Sequence, residues 1–345
     1  MVQTKDKKRL DYVDFANIAA AFAVICLHCS GGVFDYAEER RWYLALLIQT
    51  VMHFAVPVFF MLTGTTLLEY RRRYTTRTFF KKRALRTGIP FLFWTVVYLF
   101  SPVIMYQASL PDLAAVRNAF LNNGATNIFW FFYALFGIYL AMPVLSLLAK
   151  PENFRQIEYL CALSFVFNAL LPVFTRYLGP VYGELKPAIV GGYFGYVFLG
   201  WLIRHEQYSK KTRLLIYAAG ASGALLMFFG TWALARQSGE TNTFFMEYNS
   251  VACFPMSAAL LLWFKHIPWQ KVYRFIPQRF VTKAAGAGLG VYVMHMLVLQ
   301  ISEKYGWLDG YPMSFMLFMP ILIYGFCVLL TCLLQKIPIV RHLIP

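Results

Sequence analysis

Ten apolar runs of membrane-crossing length follow one another along this 345-residue chain, near 12–33, 43–69, 87–107, 128–149, 157–175, 187–204, 213–235, 248–265, 285–303 and 312–335. A helix rises about 1.5 Å per residue and the hydrocarbon layer is about 30 Å thick, so about 20 apolar residues cross it. In that layer, backbone amides must be satisfied within the protein, which favours helices. With 59% hydrophobic and only 14% charged residues, the chain exposes too much apolar surface for one soluble core. Aromatic residues make up 18%, as belts at two membrane interfaces require. The expected fold is an all-α integral membrane bundle of about ten transmembrane helices, forming one membrane domain over 1–345.

The basic residues orient this bundle. Of the 32 Lys and Arg, 25 fall in the N-terminal segment, the 70–86, 150–155, 204–213 and 265–283 loops and the C-terminus. The alternate loops hold seven: Arg40, Arg41, Arg117, Arg176, Lys186, Arg236 and Lys304. Cytoplasmic loops carry the excess of Lys and Arg, so both termini are expected in the cytoplasm of a multi-pass protein of the cell membrane. The net charge of +16 is no nucleic-acid footprint, because it is spread between apolar runs. The first run is long, follows Lys7, Lys8 and Arg9, and lacks a small-residue cleavage site, so it reads as an uncleaved span. All six cysteines lie in apolar runs, and the Cys26-Leu27-His28-Cys29 cluster lacks a second ligand pair, so no metal site is expected. Pro57, Pro90, Pro143 and Pro255, in or at the edge of spans, are expected to kink them.

His28 is the main functional candidate. An ionisable side chain at bilayer depth is expensive and marks a site by default, although such a ring can also simply bond a neighbouring helix. Asp14, Asn17, Ala21, Val24 and His28 are spaced by threes and fours, which puts them on one helical stripe. Asn17 and His28 lie about 16 Å apart along that stripe. A polar stripe must face the bundle interior or a wet cavity. Asp14, near the helix start, is also suited to the helix dipole.

Other candidates are weaker alone. His53 and His295 are the remaining intramembrane histidines, and Tyr292 lies one turn before His295. Trp130 and Tyr133 sit three apart at the start of the fourth run, where aromatic faces suit either a sugar or the interface. Arg83 and Arg86, also three apart, precede Thr87-Gly88-Ile89-Pro90 and are expected to share a face toward the bundle. Guanidinium forks there suit phosphates, whereas Arg71 and Arg72 read as solvated loop charges. Gly64 and Gly88 are expected to permit close helix approach or a tight bend.

Six segments in order resemble membrane-bound acyltransferase family 3, whose bacterial members O-acetylate envelope glycans. They are YVDFANIAAAFAVICLHC, VPVFFMLTG at 56–64, KKRALRTGIPFLFW at 81–94, NIFWFFYALFGIYLAMPVL at 127–145, GYFGYVFLGWLI at 192–203 and GLGVYVMH at 288–295. Thr63 stands where the family has serine, Asn17 where it has arginine, and His53 where it often has a basic residue. The resemblance implies an integral-membrane O-acyltransferase, with acyl-CoA (acetyl-CoA above all) as co-substrate and a hydroxyl of a cell-envelope carbohydrate as acceptor. His28 would act as general base or transient acyl carrier. Asp14, Asn17 and His53 would support it, Arg83 and Arg86 would hold the donor's phosphates, and Trp130, Tyr133, Tyr292 and His295 would serve the acceptor or a proton relay. The competing expectation is a polytopic transporter or lipid-linked sugar flippase, against which stands the lack of an inverted repeat between the halves.

Overall fold

A computed structural model describes residues 9–181 and 187–344, among which all regular structure is helical. Lys186 and the N-terminal Lys7 and Lys8 lie outside the described residues. The apolar runs and the stretches between them form helices α1 (Asp11–Cys29), α2 (Arg40–Met52), α3 (Ala55–Leu67), α4 (Thr76–Arg83), α5 (Ile89–Tyr106), α6 (Leu113–Leu121), α7 (Trp130–Leu148), α8 (Phe154–Phe165) and α9 (Leu171–Leu178). They continue as α10 (Phe194–His205), α11 (Lys210–Ser238), α12 (Cys253–His266), α13 (Trp269–Val272), α14 (Gln278–Gly286), α15 (Gly288–Lys304) and α16 (Met313–Leu334). Local caps start several of them. Thr75, Asp112 and Ser209 accept from the backbone amides of Thr78, Ala115 and Thr212, satisfying donors the first turn leaves free.

Seven stretches of described helix are long and apolar enough to cross a membrane, or eight if the bent pair α14–α15 counts as one span. This is fewer than the ten runs suggest. The difference lies in α10 and α12, whose helices have only 12 and 14 residues. At about 1.5 Å per residue neither reaches across the hydrocarbon alone. Both are wrapped by other helices: Tyr196, Val197, Phe198 and Trp201 of α10 are fully buried, as are Cys253, Leu261 and Leu262 of α12.

The prolines act differently from the sequence expectation. Pro57 and Pro255 lie in the first turns of α3 and α12, and Pro90 is the second residue of α5. At Pro57 and Pro255 the missing N–H has no intrahelical acceptor to lose, so these two mark helix starts rather than kinks, whereas Pro90 directly follows a π-helical turn within the continuous stretch Thr76–Tyr106. Pro143 lies deep in the interior of α7. The break before α3 falls at His53 and Phe54.

Close backbone contact sets the centre of the bundle. A Cβ at Gly64 would fall on the Val197 carbonyl, and one at Gly200 on that of Met61. The two glycines thus let α3 and α10 touch backbone to backbone, and Thr65 Oγ1 donates to the Gly200 carbonyl at 2.9 Å across the same seam. Gly88 plays no such part, since nothing lies within 4 Å of a Cβ built there. It ends a π-helical turn, Ala84–Gly88, that joins α4 to α5.

Substituting Gly64 by valine is therefore expected to lower the thermal unfolding temperature sharply or abolish folded protein, as overpacking costs about 1–3 kcal/mol or more. Gly88→Ala, at ordinary helical angles, is expected to unfold at or slightly above the wild-type temperature. Intrinsic-fluorescence melts of the detergent-purified variants check both, and equal loss in the two would refute this reading of the seam.

Candidate active site

Two cavities enter the bundle from opposite ends and meet at Tyr292, which lines both. The first, of about 350 Å³, is lined by His28, Gln49, His53, Asn127, Trp130, Glu247 and Tyr248 among others. The second, of similar size, is lined by Asp14, Asn17, Thr63, Arg83, Thr87, Tyr139 and the α14–α15 junction. Each falls in the size range of small-molecule sites. A third hollow of about 580 Å³, lined by Arg9, Asp14, Glu69, Arg72, Arg73 and Arg204, shares Val13, Asp14 and Thr66 with the second and forms its basic vestibule.

Helix α1 carries the stripe into these spaces as spacing suggested. Asp14 stands at its start, bonded to Arg9, and lines both vestibule and second cavity. Asn17 lies one turn on, and its Nδ2 donates to the Ala285 carbonyl at 2.8 Å. That carbonyl belongs to the last turn of α14, where the chain bends by 60° into α15. A helix broken inside a bundle leaves backbone acceptors without partners, and Asn17 supplies one. His28 sits in the last turn of α1, partly exposed to the first cavity.

The end of α1 is held from α2. Gln49, buried, donates from Nε2 to the Leu27 carbonyl at 2.7 Å and to Ser30 Oγ at 3.0 Å. His28 therefore projects from a turn whose final carbonyls are satisfied. His295 is fully buried beside it, with ring centroids 5.2 Å apart. Its Nδ1 lies 3.2 Å from the Val291 carbonyl, and its Nε2 has no hydrogen-bond partner in the protein. Tyr292 is next in line, its ring 5.9 Å from that of His295. Its hydroxyl donates to the Ile128 carbonyl, and Phe131 and Phe132 crowd its faces at 5.4 and 5.8 Å. The partition between the cavities is thus aromatic, with the two histidines on one side of it.

His53 reaches the first cavity because α2 ends at that residue, and its ring stacks on Tyr248 at 4.8 Å. Trp130 lines the same cavity and also stacks on Tyr248, at 5.7 Å. Tyr133 does not join them. Its hydroxyl donates to the Phe120 carbonyl at 2.8 Å and its ring packs edge-on against Phe91, so it anchors α6 to α7.

Arg83 and Arg86 part company. Arg83 faces the second cavity; its guanidinium lies 5.6 Å from the centre of the Tyr139 ring, and its Nε is buried without a hydrogen-bond partner. Arg86 is exposed on another face, in a hollow with Lys82 and Arg341. The π-helical turn between them explains the divergence. Its wider i→i+5 bonding winds the chain less per residue, so positions three apart no longer share a face. Arg71 is no free loop charge either: it donates from Nε to Ser146 Oγ at 2.8 Å and from Nη2 to the Pro143 carbonyl at 3.1 Å.

Glu69 and Arg204 escaped the sequence reading. Glu69 is buried and pairs with Arg72 at 3.1 Å and Arg204 at 3.8 Å, while Arg204 Nη1 donates to the Thr65 carbonyl at 2.6 Å. A lone acid between an apolar run and eight basic residues was the available signal.

Comparison with known proteins now bears on this geometry. The profile of a family described as an acyltransferase domain, acyltransferase family 3, matches residues 10–334, nearly the whole chain and every element that lines the two cavities. The chain belongs to this family. It is also 24% identical over 307 residues to an "Amino-acid racemase" of Enterococcus faecalis, covering 86% of this chain but 42% of that protein. The chain thus spans less than half the length of that curated relative. No solved structure matches it.

Replacing Asn17 by alanine removes the partner of a carbonyl at the α14–α15 bend. The variant is expected to lose about 1–3 kcal/mol of stability, with faster hydrogen exchange concentrated at 283–290. Unchanged exchange there would show that Asn17 does not brace the bend.

Proposed function

We propose that this member of the acyltransferase family is an integral-membrane O-acyltransferase. It moves an acyl group, acetyl above all, from cytoplasmic acyl-CoA to a hydroxyl of a cell-envelope carbohydrate. In this reading the basic vestibule opens to the cytoplasm, both termini lie there, and the membrane is the cell membrane. The observation that carries it is the convergence of two opposite cavities on Tyr292, with a basic side chain in one and His28, backed by the buried His295, at the wall of the other.

Each space suits one substrate. The vestibule gathers Arg9, Arg72, Arg73 and Arg204, and Arg83 follows deeper in. A polyanion such as the nucleotide of CoA matches that charge, and the unpartnered Arg83 Nε is a donor awaiting an acceptor. The second cavity is otherwise walled by Phe59, Leu62, Phe131, Phe132 and Leu135, which suits the slender pantetheine arm. The first cavity offers Trp130, backed by Tyr248, as an aromatic wall, with Gln49, Asn127 and Glu247 as polar groups. That combination fits a sugar ring.

The chemistry needs a base beside the acceptor hydroxyl. As the hydroxyl oxygen bonds to the thioester carbonyl carbon, its proton passes to His28; the carbon–sulfur bond breaks, and the proton goes on to the leaving thiolate. Holding both substrates in fixed cavities converts an encounter in solution into a reaction between neighbours. His295, buried against His28, orients that ring or relays its proton.

His28→Ala is expected to reduce transfer of labelled acetyl from acetyl-CoA by at least about a hundredfold while the protein still folds. Near-wild-type turnover in membranes matched for protein would remove His28 from the chemistry. Movement of label across vesicles without any covalent product would support the transporter reading instead. Arg83→Gln is expected to weaken CoA binding about tenfold or more, as loss of a charged hydrogen bond does, and Arg86→Gln to leave it nearly unchanged. Equal losses, read by calorimetry, would show that both arginines act only through diffuse charge.

A further inference from the structure

The hollow that receives Arg86 has no part in the acyl-transfer reading. It measures about 490 Å³ and is lined by Lys82, Leu85, Arg86, Gln335, Arg341 and His342. Four of the six are basic or titratable to a cation, and none is acidic. Among the described residues neither Arg86 nor Arg341 forms an ion pair. Like charges brought together on folded backbone repel one another, so an arrangement of this kind calls for an anion.

The backbone that presents these groups is anchored. Beyond α16 the chain folds back against the bundle. Trp94 Nε1 donates to the Leu343 carbonyl at 3.2 Å, and Gln335 Nε2 to that of Ile344 at 3.1 Å. Ile344 is 2% exposed, seated where a Cβ on Gly290 would strike it. Arg341 and His342 therefore occupy a docked 3-10 turn, Val340–His342, rather than a loose tail. On the opposite wall the π-helical turn rotates Arg86 out of the cavity that holds Arg83 and into this one.

We propose that this hollow binds the phosphate headgroup of an anionic glycerophospholipid. Guanidinium groups suit a phosphodiester, and basic pockets at the ends of membrane helices hold such headgroups. The apolar surroundings select a lipid over a soluble phosphate. Leu85, Ile89, Leu92 and Phe93 continue from the site along α5 as exposed side chains, and Leu329 and Leu333 do so along α16. These surfaces lie where acyl chains attached to the headgroup would run. The inference needs only that the helices lie in a membrane, and it stands whether or not the acyl-transfer reading does.

The test is native mass spectrometry of the purified full chain in detergent micelles doped with phosphatidylglycerol or phosphatidylcholine. Wild-type protein is expected to retain phosphatidylglycerol at least about tenfold over phosphatidylcholine. The double variant Arg86→Gln, Arg341→Gln is expected to lose that preference, and Arg86→Lys to keep part of it. The pair Lys210→Gln, Lys211→Gln removes equal charge from the start of α11, where both lysines are exposed, and is expected to behave as wild type. Both arginines are themselves exposed, so the double variant is expected to melt at the wild-type temperature. Equal retention of the two lipids by wild type, or equal loss in both double variants, would overturn the proposal. Displacement of phosphatidylglycerol by millimolar inorganic phosphate would also overturn it, in favour of a soluble-anion site.

Discussion

At several places where a helix of this bundle stops or bends inside the protein, a side chain from another helix takes up the backbone group set free. Asn17 holds the Ala285 carbonyl at the α14–α15 bend, Gln49 the Leu27 carbonyl at the end of α1, and Arg204 the Thr65 carbonyl near the end of α3. Tyr292 donates to the Ile128 carbonyl in the 3-10 turn before α7, and Tyr98 adds a bond to the Val293 carbonyl within α15, at 2.7 Å. In water such groups would be solvated for nothing; in hydrocarbon each costs several kcal/mol if left alone. The cavities exist because helices end there, and the helices end there because these bonds permit it.

This gives many polar residues of the apolar runs two roles. Asn17 faces the second cavity and braces its wall, and Tyr292 divides the cavities while tying α15 to the start of α7. Asn17 gives the Ala285 carbonyl a donor without adding a cation to that wall. The positive charge facing the second cavity comes instead from Arg83.

The elements that could be read from sequence were those governed by regular periodicity. The stripe from Asp14 to His28 emerged because α1 is unbroken, so steps of three and four translate directly into a face. Arg86 was misplaced because a π-helical turn is invisible to a 3.6-residue rule, and Tyr133 because spacing says nothing about which neighbour lies beside a face. Ten apolar runs yield seven or eight long described helices because an apolar run need not be helical throughout. Before α10 part of the run forms a short 3-10 turn, Ala188–Val190, and before α12 the run opens with non-helical turns over 248–252. Arg204, which pairs with Glu69, comes from a stretch of chain 135 residues away, a relation that no local pattern contains.

The seam of Gly64 and Gly200 has a consequence for how such a chain is made. Helix α10, at about 18 Å, is too short to rest in a bilayer as an independent segment. Its resting place is the glycine-lined surface of α3, synthesised some 135 residues earlier. Until α10 emerges from the ribosome, that surface of α3 faces lipid or a chaperoning insertase. Biogenesis is therefore expected to include a step in which a short, buried helix is added to longer helices made before it. A nascent chain stalled before residue 194 would hold its first helices in the membrane yet lack the wall that closes its centre.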